Sequence, residues 1–407
     1  MWMTGLVGMA TKYAEALLSV RYREKDARGE MIGGPMYFLS RGVRSRSVGR
    51  GLAVAFAVFA SVAAFGIGNA VQSQEVGKAL NASFGFEPRM TQVVLAVLVA
   101  MVTLGGIRWI ARFASLLVPT MVFFYLAAGL VVLFLNAAWI PDALVLVFES
   151  AFKASALGGG VLGASVAAAL RFGISRGVFS NESGLGSAGI AAAAASTREP
   201  VRQALVSMTQ TFIDTIVVCS VTGLVILTVI VRDVEEVGQV APIAIESSLQ
   251  QVRNTLPDID PFASDFTERL ADSIPDGAAT APLLRWKLVQ GSEWTTLAFR
   301  EVVPFGVGGV IVSVGLALFA FSTILGWSYY GEKSVEYLAG TRVIFPYRVF
   351  FAAMVVGGPM LFSNNVWLVS DITNGLMAIP NLIGLLLLSG VVVSETRAYF
   401  ARNRPAV

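Results

Sequence analysis

Apolar segments long enough to cross a bilayer recur along the whole chain, and no other feature constrains its folding as tightly. They fall at 1–20, 51–80, 91–107, 113–136, 155–174, 203–231, 306–328, 346–362 and 379–395. A helical crossing takes about 20 apolar residues. Inside lipid, every backbone N–H and C=O must be satisfied within the segment, which leaves helices as the solution. The pattern predicts an all-α polytopic membrane protein of about nine transmembrane helices, with 364–378 apolar enough to move the count by one. Only 14% of residues are charged, against about 25% in soluble domains, so the exterior is built for lipid. Residues 1–407 are read as a single transmembrane domain.

The connectors alternate in charge. The first holds Arg21, Arg23, Lys25, Arg28, Arg41, Arg44, Arg46 and Arg50 against three acids. Arg108 and Arg112, Arg198 and Arg202, then Lys333, Arg342 and Arg348 mark later connectors, and Arg397, Arg402 and Arg404 lie in the tail. Lys and Arg concentrate on the cytoplasmic side, so nine crossings place the N-terminus outside and the C-terminus in the cytoplasm of a cell-membrane protein. Residues 232–304 carry twelve Asp/Glu and six Lys/Arg, and parity puts this acidic segment outside. Its stretch IESSLQQVRNTLPDIDPFASDFTERLADSIPD reads as a short helix or two with turns, forming either a solvated lobe or an outer lid.

The chain has no histidine, which removes Ser-His and Cys-His nucleophiles and His-ligated metal. Its single cysteine, Cys219, sits in an apolar run and reads as buried and inert. Neither catalysis nor nucleic-acid binding is expected from a formal charge of +3 and this inventory.

Polar residues inside spans are costly and mark a pathway or a partner. Lys12 and Glu15 share a helical face and can neutralise each other. Asn69 and Gln72 in GIGNAVQSQEVG also share a face, as interhelical glue or as an amide pair for a zwitterion. Three consecutive glycines at 158–160 make a poor helix centre, and unwinding there is tolerable only beside a cavity. In SRGVFSNESGLGSA, the residues Asn181, Glu182, Gly184 and Gly186 belong to a dense polar-glycine element with the character of a gate or hinge. Asp214, a lone carboxylate in its span, is grouped with that gate; it needs a partner such as Thr215, Thr222 or a basic group. Ser322 and Thr323 offer oxygens that suit Na⁺, or back-bond to the preceding turn. Trp327 fits a small pocket or, with Tyr329 and Tyr330, an interfacial belt.

With these residues in view, the sequence resembles the alanine or glycine:cation (sodium:alanine) symporter family. The stretches that carry the likeness are GMATKYAEALL, GEMIGGPMYFL, GIGNAVQSQ, RGVFSNESGLGSA, PVRQALVSMTQTFIDTIVVCSVTG, LFAFSTILGWSYYGEK and SDITNGLMAIPNL, in family order across nearly the whole chain. The resemblance implies a LeuT-type fold of two inverted five-helix repeats, lacking its first helices. It implies Na⁺-driven uptake of alanine, glycine or similar small neutral amino acids, with H⁺ as the alternative coupling ion and no other cofactor. Asn69 and Gln72 would face the substrate, Gly159, Gly160 and Gly163 would expose backbone to it, and Trp327 would line the pocket. Ser322 and Thr323 would be sodium ligands. The family pattern also places a peripheral helix and a broken Gly-Thr-Gly-Asn-type helix ahead of the segment that opens this sequence. The implied chain is N-terminally incomplete and by itself a poor binder of alanine. The alternative is a truncated, non-transporting relative acting as a binding or regulatory membrane subunit.

Overall fold

The computed structural model describes residues 1–152, 173, 175–237, 242–256, 259–262, 265–273, 277–289, 291–362 and 365–403. Apart from Gly173, the predicted span 155–174, with Gly159, Gly160 and Gly163, lies outside the described residues. Helices dominate. The described strands are the two-residue pair Glu24–Lys25 and Met31–Ile32, antiparallel with Glu24 opposite Ile32.

The first helix, α1, spans Trp2–Arg21, and α2 spans Pro35–Gly42. Helix α3 (Arg46–Phe65) continues through a wider π turn at Gly66–Val71 into α4 (Gln72–Phe84). Then come α5 (Pro88–Leu104), α6 (Ile107–Leu135), α7 (Ile140–Phe152), a helical stretch at 175–181, and α8 (Ser187–Ala193). Helix α9 (Pro200–Thr211) passes through a second π turn at Phe212–Val218 into α10 (Cys219–Val237). Four helices follow: α11 (Pro242–Thr255), α12 (Phe266–Ser273), α13 (Gly277–Leu288) and α14 (Glu293–Val302). The chain ends with α15 (Val307–Ala339), α16 (Ile344–Phe362), α17 (Val366–Leu387) and α18 (Ser389–Arg402).

Among the described residues, six helices are long and apolar enough to cross a membrane: Arg46–Phe84, Trp109–Leu135, Pro200–Glu235, Val307–Ala339, Thr341–Leu361 and Val366–Leu387. Pro88–Leu104 is apolar but shorter, and α1 carries Lys12 and Glu15 in its body. The final segment sits earlier than 379–395: α17 begins at Val366, and the chain breaks at Leu388 before α18. Ser370, Asp371, Thr373 and Asn374 dilute the hydropathy of the first half of α17 and shift the apolar peak toward its end.

The core forms where α3 meets α2, α15 and α17. Ala53, Ala57, Ala60 and Ala64 recur at helical spacing on α3 and are buried, so its small face lets the neighbouring helices approach closely. Leu17, Phe38, Phe56, Leu325, Trp327, Phe351 and Met377 fill the same core. By contrast, Leu116, Phe123, Phe124 and Phe134 of α6 are exposed, as a lipid-facing helix requires.

Among the described residues, the stretch IESSLQQVRNTLPDIDPFASDFTERLADSIPD holds two short helices, α11 and α12, as expected, and α13 and α14 follow it within the 232–304 segment. Leu249, Val252, Phe266, Leu270, Ala281 and Leu284 give α11–α13 a separate small core. At another point of the molecule, the strand pair at 24–32 is clasped by charge. Lys333 Nζ of α15 lies 2.9 Å from Glu336, 3.5 Å from Glu30 and 3.6 Å from Asp26. Arg28 reaches Asp26 at 3.2 Å and Glu336 at 3.5 Å, while Arg348 of α16 forms a two-pronged pair with Glu332 at 2.6 and 3.0 Å.

Candidate functional site

The polar-glycine element is a break in the helical chain. Between the stretch at 175–181 and α8, Glu182, Gly184 and Gly186 all have left-handed backbone, with φ of 55°, 91° and 85°. Glycine adopts this conformation at little cost. Glutamate does not, and Glu182 is held there from both carboxylate oxygens: Ser187 Oγ donates to Oε2 at 2.7 Å and the Trp327 indole N–H donates to Oε1 at 2.8 Å.

The break exposes backbone groups that α1 collects. Glu15 Oε1 accepts from the N–H groups of Gly184 (2.9 Å) and Gly186 (3.1 Å) and from Asn381 Nδ2 (2.7 Å). Lys12 Nζ donates to the Asn181 carbonyl at 2.8 Å. Lys12 and Glu15 remain close enough to act on each other's charge, but each makes its hydrogen bonds across to 181–186. Both are buried, at 1% and 0% exposure. Asn381 of α17 also donates to the Gly184 carbonyl at 2.9 Å, so three separate helices meet at the break.

The second π turn completes the cluster. Asp214 Oδ2 accepts from Ser180 Oγ at 2.5 Å and from Thr215 Oγ1 at 3.4 Å. Thr222 is engaged instead with Tyr125 at 2.5 Å. Asn181 Nδ2 donates to Thr215 Oγ1 at 3.0 Å, and Ser183 pairs with Thr211 at 3.1 Å. Asn181, Glu182, Gly184, Gly186 and Asp214 thus belong to one network. Cys219 lies 3.4 Å from Ser180 at its edge and is only half-buried.

The amide pair straddles the end of the first π turn, Asn69 within it and Gln72 opening α4, and the two amides take different partners. Asn69 Nδ2 donates to the Phe351 carbonyl at 2.7 Å and Ser73 Oγ to the Val355 carbonyl at 2.6 Å, fixing this segment on α16. Gln72 Nε2 turns back to the Ile67 carbonyl at 3.2 Å. Such turns recur at functional sites because they re-aim side chains and leave backbone groups to be satisfied otherwise. Trp327 packs against this turn with its side chain buried, away from any interfacial belt. Ser322 and Thr323 both donate to the Phe319 carbonyl, at 2.8 and 3.0 Å. Donation leaves the oxygen lone pairs of both hydroxyls available to a cation.

Glu15 Oε2, Asn69 Oδ1, Gln74 Oε1, Asn374 Oδ1 and Asn381 Oδ1 are buried acceptor oxygens on these segments with no hydrogen-bond partner among the described residues. Among the described residues, no group of three or more His, Cys, Asp or Glu is placed to hold a metal ion. The sequence reading named neither Asn381 nor the part Glu15 plays. The signal was there: Asn374 and Asn381 lie two turns apart on one face of an apolar helix.

A profile of the sodium:alanine symporter family matches residues 1–258 and 279–406. The chain belongs to the sodium:alanine symporter family. A protein of Methanococcus maripaludis named sodium/alanine symporter AgcS is 47% identical over 98% of the chain and 76% of its own length. An uncharacterized transporter of Haemophilus influenzae is 41% identical over 99% of the chain and 76% of its length. The Bacillus subtilis transporter YflA, also uncharacterized, is 31% identical over 99% of the chain and 74% of its length. In this sodium:alanine symporter family member, every residue of the network lies within the matched ranges, and the internal gap in the match, 259–278, falls in the acidic lobe.

Proposed function

We propose that the protein carries alanine, glycine or a similar small neutral amino acid across the cell membrane by Na⁺-coupled symport, alternating between outward and inward access. The observation that carries this reading is the break at 182–186. Irregular backbone at membrane depth is tolerated where it is buried in protein or lines a cavity, and transporters bind ions and carboxylates at such breaks.

In this reading the fold is LeuT-type with about nine crossings, and the C-terminus and the 24–32 clasp are cytoplasmic. The acidic lobe is outside. Asn69, Gln72 and Trp327 face the substrate together with backbone at Gly159, Gly160 and Gly163, which lie outside the described residues. The partnerless Asn69 Oδ1 suits the substrate ammonium. Ser322 and Thr323 contribute oxygens to Na⁺, with H⁺ as the alternative ion. Trp327 lies one turn beyond Thr323 on the same face. Its bond to Glu182 gives a route by which ion and substrate occupancy on α15 biases the 181–186 hinge and Asp214. The reading as a non-transporting subunit is not favoured by relatives that are themselves named as transporters over nearly the whole chain.

Radiolabelled alanine uptake into proteoliposomes tests this. Uptake should rise with an inward Na⁺ gradient and fall at least tenfold in Gln72→Ala and Thr323→Ala. A response to a proton gradient without Na⁺ would move the coupling to H⁺. Uptake indifferent to both gradients and to both substitutions would overturn the reading.

A further inference from the structure

The lobe contains a cavity of about 170 Å³ that the transport reading does not use. Arg232 and Asp233 reach it from α10, Arg285 and Trp286 from α13, and Glu301 from α14. One water needs only about 10–15 Å³ in the same measure, so the space exceeds a structural water by an order of magnitude.

Its charged walls are fixed before anything enters. Asp233 accepts the Trp286 indole N–H at 2.7 Å through one oxygen and the Arg232 guanidinium at 2.9 Å through the other. Arg285 pairs with Glu301, and its guanidinium lies 4.8 Å from the centre of the Phe266 ring. The lining therefore presents two guanidinium–carboxylate pairs, Arg232 with Asp233 on α10 and Arg285 of α13 with Glu301 of α14, whose remaining donors and acceptors face the cavity. A lone anion entering here meets Asp233 and Glu301. A lone cation meets Arg232 and Arg285. A small molecule bearing both signs can use all four, and the indole supplies an apolar wall for its carbon skeleton.

We propose that this cavity is a second binding site, for a small α-amino acid in its dipolar form, separate from the transport pathway. That the occupant is a zwitterion follows from the lining alone; that alanine or glycine is the right probe rests on the transport reading above. Because the walls balance the occupant's charges themselves, binding here needs no Na⁺.

Equilibrium binding of labelled alanine and glycine to the purified full chain, with and without Na⁺, tests the site. The expected result is a Na⁺-independent class of binding that quenches tryptophan fluorescence, with the quench lost in Trp286→Phe. Arg232→Gln and Glu301→Gln, one in each ion pair, should each weaken it at least tenfold and leave Na⁺-dependent binding intact. Binding that is wholly Na⁺-dependent and unchanged in both variants overturns the proposal, as does absence of binding of either amino acid at tens of millimolar. Na⁺-independent binding that responds to Arg232→Gln, with no Na⁺-dependent class, keeps this site and sinks the transport reading. Should both variants misfold, the wild-type quench and its loss in Trp286→Phe decide the question.

Discussion

A β-carbon built on Gly68 would lie 2.2 Å from Trp327 Cβ and 2.3 Å from its Cγ. Only a bare α-carbon lets the first π turn sit on α15 at this distance. Gly68→Ala should therefore cost about 1–3 kcal/mol through overpacking, read as a lowered unfolding midpoint in detergent, with substrate uptake reduced more than stability accounts for. Glu15 is the opposite case, a charge with too many dependents to remove. Glu15→Ala leaves two backbone N–H groups without an acceptor beside a buried Lys12 and the Asn381 amide with only the Gly184 carbonyl, and the loss of one member of a buried charged set costs about 3–5 kcal/mol. Glu15→Gln, which keeps an acceptor oxygen, should recover part of that loss in the same unfolding measurement. At this scale the sequence was informative wherever polarity interrupted an apolar run: Glu182 and Asp214 could be singled out because lipid makes such residues expensive, and Trp327 because of its aromatic bulk. Which partner each one takes was not legible. Lys12 and Glu15 lie three residues apart and suggest a mutual pair, yet they bind a segment about 170 residues away.

Elements show a similar division. Apolar length located most helices, but π turns have no hydropathy signature, and the split between α17 and α18 was obscured because windowed hydropathy averages over a polar half-helix. Charge run-length likewise marked 21–50 as basic without revealing that its acids are used in the 24–32 clasp. Burial alone would raise Asp26, but the backbone N–H groups of Glu30 and Arg28 and the charges of Lys333 and Arg28 outweigh it and hold its carboxyl below the usual range. A depressed folded pKa contributes stability that is present above the unfolded value, near 4, and is lost as pH falls through the folded value. With Arg28, Glu30, Lys333 and Glu336 facing it, the Asp26 contribution should hold from about pH 5 upward. Hydrogen-exchange protection of 24–32, corrected for intrinsic rates, should stay level there and drop below about pH 4. Lys333→Met should lower that protection at neutral pH.

For the molecule as a whole, sidedness is the claim most open to direct test. The single native cysteine, Cys219, can be replaced by serine and new cysteines placed one at a time. Parity of nine crossings predicts that Asp260→Cys in the lobe reacts with an impermeant thiol reagent added to intact cells, and that Arg50→Cys reacts only after permeabilisation. Reaction of both from the same side would mean an even number of crossings between them. Fold class was readable at this scale because lipid permits so few solutions. The two short helices of the lobe were also readable, but the small core that Leu249, Phe266 and Leu284 form between helices was not, because these residues are spread among prolines and acids.

The bonds of Glu15 also have an order in time. Its backbone partners at Gly184 and Gly186 are made 169 and 171 residues later, and Asn381 comes 366 residues later. At ribosomal rates of about 5–20 residues per second, the carboxylate enters the membrane roughly 8–34 s before the first of these partners exists. During that interval Lys12, on the same face of the nascent helix, is the nearest available counter-charge. The two residues then rely on each other alone until the finished protein adds the hydrogen-bond partners at 181–186 and Asn381. A Lys12→Met chain should accordingly show its largest defect in membrane insertion yield, measured by glycosylation-site mapping of nascent chains, before any defect in the assembled carrier.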